Sequence, residues 1–221
     1  MKSLTLRHLE VDLPILVSES RPLVFDVGAN KGQSIELFQR LLPNPIIKAF
    51  EPNSTLTQNL LKAYKGEEIV IENIALGPEP GTLPFNIFQN NELSSILDLD
   101  RTSSNPFSGT PLQDRVLVQI STLDLYVKEK NITRIDLLKI DTQGYDLDVL
   151  RGGTTLLSKQ SVETILVEVN FVQLYQGQAS FGEIERYLAA CGYGLLCFYE
   201  IVRVDECISW ATACFRKKSL T

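Results

Sequence analysis

Asp26-Val27-Gly28-Ala29-Asn30-Lys31-Gly32 places a carboxylate, a carboxamide and two glycines within one short stretch. It follows the apolar run 22–27 and precedes QSIELFQRLL, whose apolar positions 35, 38, 41 and 42 recur at helical spacing, so it reads as the turn between a strand and a helix. In that setting Gly28 lets a ligand approach the backbone closely, and the helix N-terminus beyond Gly32 points free N–H groups at it. Glu51 closes the next apolar run about 20 residues later, where an acidic side chain can accept both hydroxyls of an adenosine ribose. A nicotinamide-binding turn would carry G-x-G-x-x-G to seat a pyrophosphate, but Asn30 stands at the middle glycine. An aspartate heading the turn suits a cationic ligand better than two phosphates. The alternative is a turn that needs glycine for geometry alone.

A second group of candidates lies further along. In RIDLLKID (134–141), Lys139 and Asp141 share a strand face by the two-residue period. If this strand lies beside the first, Asp141 sits near Gly28 at the topological switch point, where it can take a proton from an acceptor or simply fix the loop. A buried lysine needs a partner, so Lys139 either pairs with Asp26 or Asp141 or acts at the acceptor oxygen. Glu168 and Asn170 end the run 162–170 on one face. With Asp141 they form an oxygen-rich set of the kind Mg²⁺ prefers, yet such sets arise at strand ends for other reasons and no metal site is assigned. His8 reads as a surface or packing residue, Trp210 as core and Arg216-Lys217-Lys218 as solvated. Cys191, Cys197, Cys207 and Cys214 match no C-x-x-C pattern and read as small buried hydrophobes on late strands.

These residues need a scaffold, and the pattern supplies one. Apolar runs at 22–27, 46–51 and 69–76 alternate with helices at 33–42 and after Asn53 or Ser54, the order of a parallel sheet with right-handed crossovers and helices on both faces. Residues 77–121 turn to Pro, Gly, Ser and Asn and read as an insertion, a hairpin of 83–88 and 115–120 around a mobile loop. Alternation resumes with a helix at 122–130, strand 134–141, a helix from Tyr145 to Leu150, strand 162–170 and a helix near 181–190. Two final runs, 194–202 and 207–215, are joined so tightly that they must be antiparallel. No repeat or composition break marks a second domain, so 1–221 reads as one unit with an N-terminal arm at 1–21.

With 221 residues, 44% hydrophobic and 22% charged, the chain is an ordinary globular sequence, which excludes disorder and fibrous classes. A net charge of −6 argues against nucleic acid or anionic membrane as partner. No apolar run approaches the ~20 residues of a bilayer span, and the N-terminus lacks a secretory apolar core, so a cytoplasmic location is expected.

VFDVGANKGQS (24–34), AFEPN (49–53), ENIALG (72–77), ELSSIL (92–97), STLDLY (121–126), LLKIDTQGYDLDVLRGG (137–153) and VEVNF (167–171), in this order, resemble the FkbM family of S-adenosylmethionine-dependent methyltransferases. The resemblance implies a Rossmann-like class I α/β fold: a seven-stranded, mainly parallel sheet whose last strand inserts antiparallel. It implies S-adenosylmethionine as cofactor, with Asp26, Gly28, Asn30 and Gly32 at its methionine end, Glu51 at the ribose, Asn73, Ala75 and Leu76 along the adenine, and Pro52 as a further cofactor contact. Asp141, Lys139 and Glu168 are the candidates for catalysis, and Asp141 is also a candidate cofactor contact, at the amine. Gln143 stands where the family often has Glu, Tyr145 could cover the cofactor or acceptor, and Ser94 and Ser95 match paired serines that could close over either. The implied reaction is O-methylation of a hydroxyl on a small molecule or sugar. An N-methyltransferase, an NAD-dependent oxidoreductase and a non-catalytic Rossmann-like interaction module are the other readings, and the apolar last hairpin could support a homodimer.

Overall fold

The computed structural model describes residues 8–66, 68–102 and 104–218. In chain order the strands are β1 (Leu23–Val27), β2 (Ile46–Phe50), β3 (Ile69–Glu72), β4 (Ala75–Leu76), β5 (Gly81–Phe88), β6 (Leu112–Ser121), β7 (Ile135–Ile140), β8 (Val162–Asn170), β9 (Tyr193–Val204) and β10 (Cys207–Lys217). The helices are α1 (Leu9–Leu16), α2 (Gln33–Leu41), α3 (Ser54–Ala63), α4 (Leu123–Glu129), α5 (Asp146–Arg151), α6 (Thr154–Ser158) and α7 (Phe181–Ala190).

Seven strands form the central sheet in the order β3-β2-β1-β7-β8-β10-β9, parallel except around β10, which runs antiparallel to both β8 and β9. β1 and β7 carry nearly unbroken apolar sequence because helices cover both faces. Alternate residues feed opposite cores: Phe25, Leu138 and Val167 meet α4, α5, α6 and α7, while Val24, Leu137 and Leu166 meet α1, α2 and α3. Phe25, Phe50 and Tyr126 lock the first layer together, with ring centroids 4.8 to 5.6 Å apart. Asn53 caps α3 by accepting from the Thr55 and Leu56 N–H groups. The link between β9 and β10 is Asp205-Glu206, both at positive φ (48° and 68°), a two-residue turn whose twist matches that of the strands.

The structure corrects several expectations. The run 69–76 is not one strand: β3 stops at Glu72, and β4 leaves the main sheet to pair with β6 in a small sheet of order β4-β6-β5. Asn73 at the break donates from Nδ2 to the carbonyls of Glu51 and Pro52 and to Thr57 Oγ1, which draws the chain aside. The N-terminal arm contains α1, packed through Leu9, Leu13 and Leu16, with Asp12 accepting from the Tyr199 hydroxyl; residues 1–7 lie outside the described set. The hairpin is present, but the loop between its strands is no mobile appendage. Leu99 pairs with Tyr175, Asn105 is buried, and Leu93, Leu99, Leu174 and Tyr175 form a core of their own. Of the cysteines only Cys214 is buried; Cys207 is exposed and Cys191 ends α7. Arg216 and Lys217 both meet Glu163, so they are paired rather than simply solvated. Among the described residues no helix is long and apolar enough to cross a membrane.

Candidate active site

The carboxyl ends of β1, β2, β7 and β8, together with the amino-terminal half of the antiparallel β10, open into a cavity of about 460 Å³. Where β1 ends, Gly28 adopts φ +88°, and a Cβ there would sit 1.9 Å from the Asp141 carbonyl oxygen, so only glycine lets β1 and β7 close at this point. The Gly28 and Ala29 N–H groups donate to the Phe50 carbonyl, which ties the turn to β2. Asn30, at φ +48°, donates its N–H to Glu51 Oε2 at 2.8 Å, and the Asn53 N–H donates to Glu51 Oε1 at 2.8 Å. Glu51 is 5% exposed; burial pushes its pKa up to about 7 against the opposing pull of those two N–H groups.

Gly28, Asn30, Glu51, Pro52, Ala75, Leu76, Lys139, Asp141 and Glu168 all line the cavity, as do Ser94, Gln143 and Tyr145. Asp26, Gly32 and Asn73 do not. Asp26 is fully buried beneath the floor, with Lys139 Nζ 3.4 Å from Oδ1. Gly32, at φ +95°, is the N-cap of α2, and Asn73 faces away to fasten the chain after β2. Lys139 Nζ also lies 3.3 Å from Asp141 Oδ2. Burial opposes its ammonium, but the carboxylates of Asp26 and Asp141 outweigh this and raise its pKa.

The centre of the site is Gln143, at φ +56° in the loop after β7. Its Nε2 donates to Asp141 Oδ1 (2.8 Å) and Glu168 Oε2 (3.0 Å), and its Oε1 accepts from the hydroxyl of the wholly buried Tyr175 at 2.8 Å. Burial first, and then the neighbouring Asp141 carboxylate, raise the Glu168 pKa well above the ordinary range. The loop is held from two sides. Asp146 accepts from the Thr142 N–H, Thr142 Oγ1 and the Gly144 N–H, its own pKa pushed up to about 6 by burial. Ser95, fully buried, donates to the Gln143 carbonyl at 2.8 Å and thereby staples the insertion to the loop. Ser94 accepts from the Phe88 N–H.

Several lining residues escaped the sequence reading. Trp210, expected in the core, faces the cavity and packs on Phe107 with ring centroids 5.7 Å apart. Glu200 also lines it, at φ +50° beside an irregularity in the β9–β10 pairing, accepting from Thr212 Oγ1 at 2.9 Å. A charge interrupting the apolar run 194–202 was the available signal. Leu174 joins from a segment with no periodic pattern.

The residues present fit an adenosyl cofactor carrying a cationic sulfur. Asn30 Oδ1 is a buried acceptor with no donor among the described residues, Gly28 leaves room at the backbone, and Ile74, Ala75 and Leu76 offer an apolar slot beside Glu51.

The sheet order is that of the Rossmann-like class I methyltransferases. The fold is similar to a magnesium protoporphyrin IX methyltransferase from Synechocystis PCC 6803 with S-adenosylmethionine bound, at TM-score 0.50 and 11% identity, covering 95% of this chain and 78% of that one. It is also similar to an rRNA methylase from Streptococcus thermophilus, at TM-score 0.51 and 10% identity, covering 98% of this chain and 100% of that one. Residues 26–195 match the methyltransferase FkbM domain. Similar proteins include 2-O-methyltransferase NoeI of Sinorhizobium fredii, 23% identical over 170 residues (74% of this chain, 69% of that protein). Methyltransferase sdnD of Sordaria araneosa is 29% identical over 157 residues, 60% of this chain and 61% of that protein. The chain belongs to the FkbM methyltransferase domain family, and its cofactor is S-adenosylmethionine.

Proposed function

We propose that residues 1–221 act as one domain that methylates a hydroxyl oxygen of a small molecule or sugar, with Glu168 as the proton acceptor. The observation that carries this reading is the Asp141–Gln143–Glu168 arrangement facing the cavity beside the glycine turn. Oxygen as the acceptor atom also agrees with the name of the relative NoeI, a 2-O-methyltransferase.

S-adenosylmethionine supplies a methyl group bonded to a positively charged sulfur. An acceptor oxygen attacking that methyl group in line would have to lose its hydroxyl proton, and a carboxylate of this chain would take it. Asp141 has both oxygens engaged, one by the Lys139 ammonium and one by the Gln143 amide. Glu168 receives the same amide on one oxygen, and burial raises its affinity for a proton, which suits it to the role of acceptor. Asn30 and Glu51 would hold the cofactor, Asn30 through its unpartnered Oδ1 and Glu51 through its carboxylate. Holding the two reactants in line within this cavity would supply much of the acceleration.

Calorimetric titration with S-adenosylhomocysteine, followed by turnover on hydroxyl and amine acceptors with NMR assignment of the methylated atom, tests this reading. Methyl on oxygen, lost in Glu168→Gln with cofactor affinity retained, is the expected result. Methyl on nitrogen, or full activity in Glu168→Gln, sinks it.

A further inference from the structure

The cavity has a second end that the cofactor reading leaves unused, and strand register builds it. Asn170 on β8 lies directly opposite Trp210 on β10, and Glu168 lies opposite Thr212 two residues along, so all four side chains share one face. Thr212 in turn holds Glu200 from β9. Asn170 is 6% exposed and lines the cavity, yet its Oδ1 has no donor among the described residues. A buried carboxamide oxygen left without a donor is costly, and an O–H or N–H on a bound molecule relieves that cost. Above it, Trp210 and Phe107 supply an aromatic wall.

Charge restricts the occupant. Glu51, Glu92, Asp141, Glu168 and Glu200 line the cavity, whereas Lys139 is the single cation among its described lining residues and is already shared between Asp26 and Asp141. A phosphate or carboxylate on the acceptor would find no free cation and would face Glu200 in a confined space.

We propose that this β8–β10 end is the acceptor subsite and that it takes an uncharged, hydroxyl-bearing ring compound, never its phosphorylated or nucleotide-linked form. Asn170 Oδ1 receives a hydrogen bond from a hydroxyl next to the reacting one, Trp210 and Phe107 pack against the ring, and Glu200 repels anions. Methylation then precedes any phosphoryl or nucleotidyl transfer to the acceptor, or follows release of that group. The inference rests on the methyltransfer reading above and narrows it.

Trp210 is the sole tryptophan of the chain, so its fluorescence reports this subsite directly. The protein, saturated with S-adenosylhomocysteine, is titrated with paired probes: methyl hexopyranosides and the matching hexose 6-phosphates. The expected result is that neutral probes shift the Trp210 emission and that their phosphate partners bind at least about tenfold more weakly. Asn170→Leu should abolish the neutral response while leaving S-adenosylhomocysteine affinity within about twofold. Glu200→Lys should narrow the discrimination, a gain in phosphate binding that misfolding cannot mimic. Equal or tighter binding of the phosphates, no response to any neutral probe, or an unchanged response in Asn170→Leu overturns the inference. Failure to bind S-adenosylhomocysteine at all would instead overturn the cofactor assignment beneath it.

Discussion

Replacing Lys139 with methionine isolates what the buried charge pair does for the fold. Asp26 is 0% exposed, and Lys139 Nζ, 3.4 Å away, is the cation that meets its charge. Methionine keeps the length of the side chain and its packing against β1 but removes the ammonium. Breaking a buried pair from one side costs about 3–5 kcal/mol, because the remaining charge is desolvated and uncompensated. Against a total stability of about 5–15 kcal/mol, the variant should fold but with a much lower urea midpoint. The pH dependence has a definite sign. Burial already raises the Asp26 pKa, opposed by Lys139, and without the lysine it rises further. A carboxyl whose folded pKa exceeds its unfolded value of about 3.9 destabilises the fold once pH climbs past that unfolded value, and the penalty is complete above the folded pKa. The deficit of Lys139→Met relative to wild type should therefore shrink on acidification from about pH 8 to about pH 5. Urea titrations at both values measure it, and the double variant Asp26→Asn with Lys139→Met should recover most of the loss through coupling. A deficit below about 1 kcal/mol at pH 8, or no recovery in the double variant, would refute the assignment of this pair as structural.

Other outcomes follow from the same geometry. Glu51→Ala should weaken S-adenosylhomocysteine binding by about 1–3 kcal/mol, read by calorimetry; an unchanged dissociation constant removes Glu51 from the ribose. Because the Glu51 pKa lies at about 7, wild-type affinity should increase as pH rises through that value and the carboxylate ionises, and Glu51→Gln should flatten the profile. Gln143→Leu removes the donor that favours ionised Glu168, so the acid limb of the turnover profile should move to higher pH; an unmoved limb shows that Glu168 is not the titrating group. Deleting 98–112 should broaden or abolish cooperative unfolding, since it removes Leu99, the buried Asn105 and the Phe107 support of Trp210; an intact sharp transition would show these contacts to be dispensable.

The strand–turn–helix at 22–42, the Gly28 turn, Glu51 at the end of β2 and the antiparallel last hairpin were legible from local pattern, because period, turn chemistry and chain connectivity restrict them without reference to distant residues. The pairing of Lys139 was legible for a similar reason: a charge on a strand covered on both faces must find a partner nearby. What the sequence could not decide was which side chains face the cavity from non-neighbouring segments. Asp26 and Gly32 look like ligand contacts in a linear motif, yet the close packing of β1 against β7 puts Asp26 under the floor, and Gly32 caps α2 outside the cavity wall. Trp210 reads as core on an apolar run until the β8–β10 register sets it beside Asn170. Phe107 sits in a stretch of Ser, Asn and Gly with no period to read, and only its packing on Trp210 gives it a place. Gln143 is a single deviation in a motif, and its meaning, an amide between two carboxylates anchored by Tyr175, exists only where β7, β8 and the segment after β8 converge. Local order follows from short-range sterics and burial period, whereas the site is a product of long-range register.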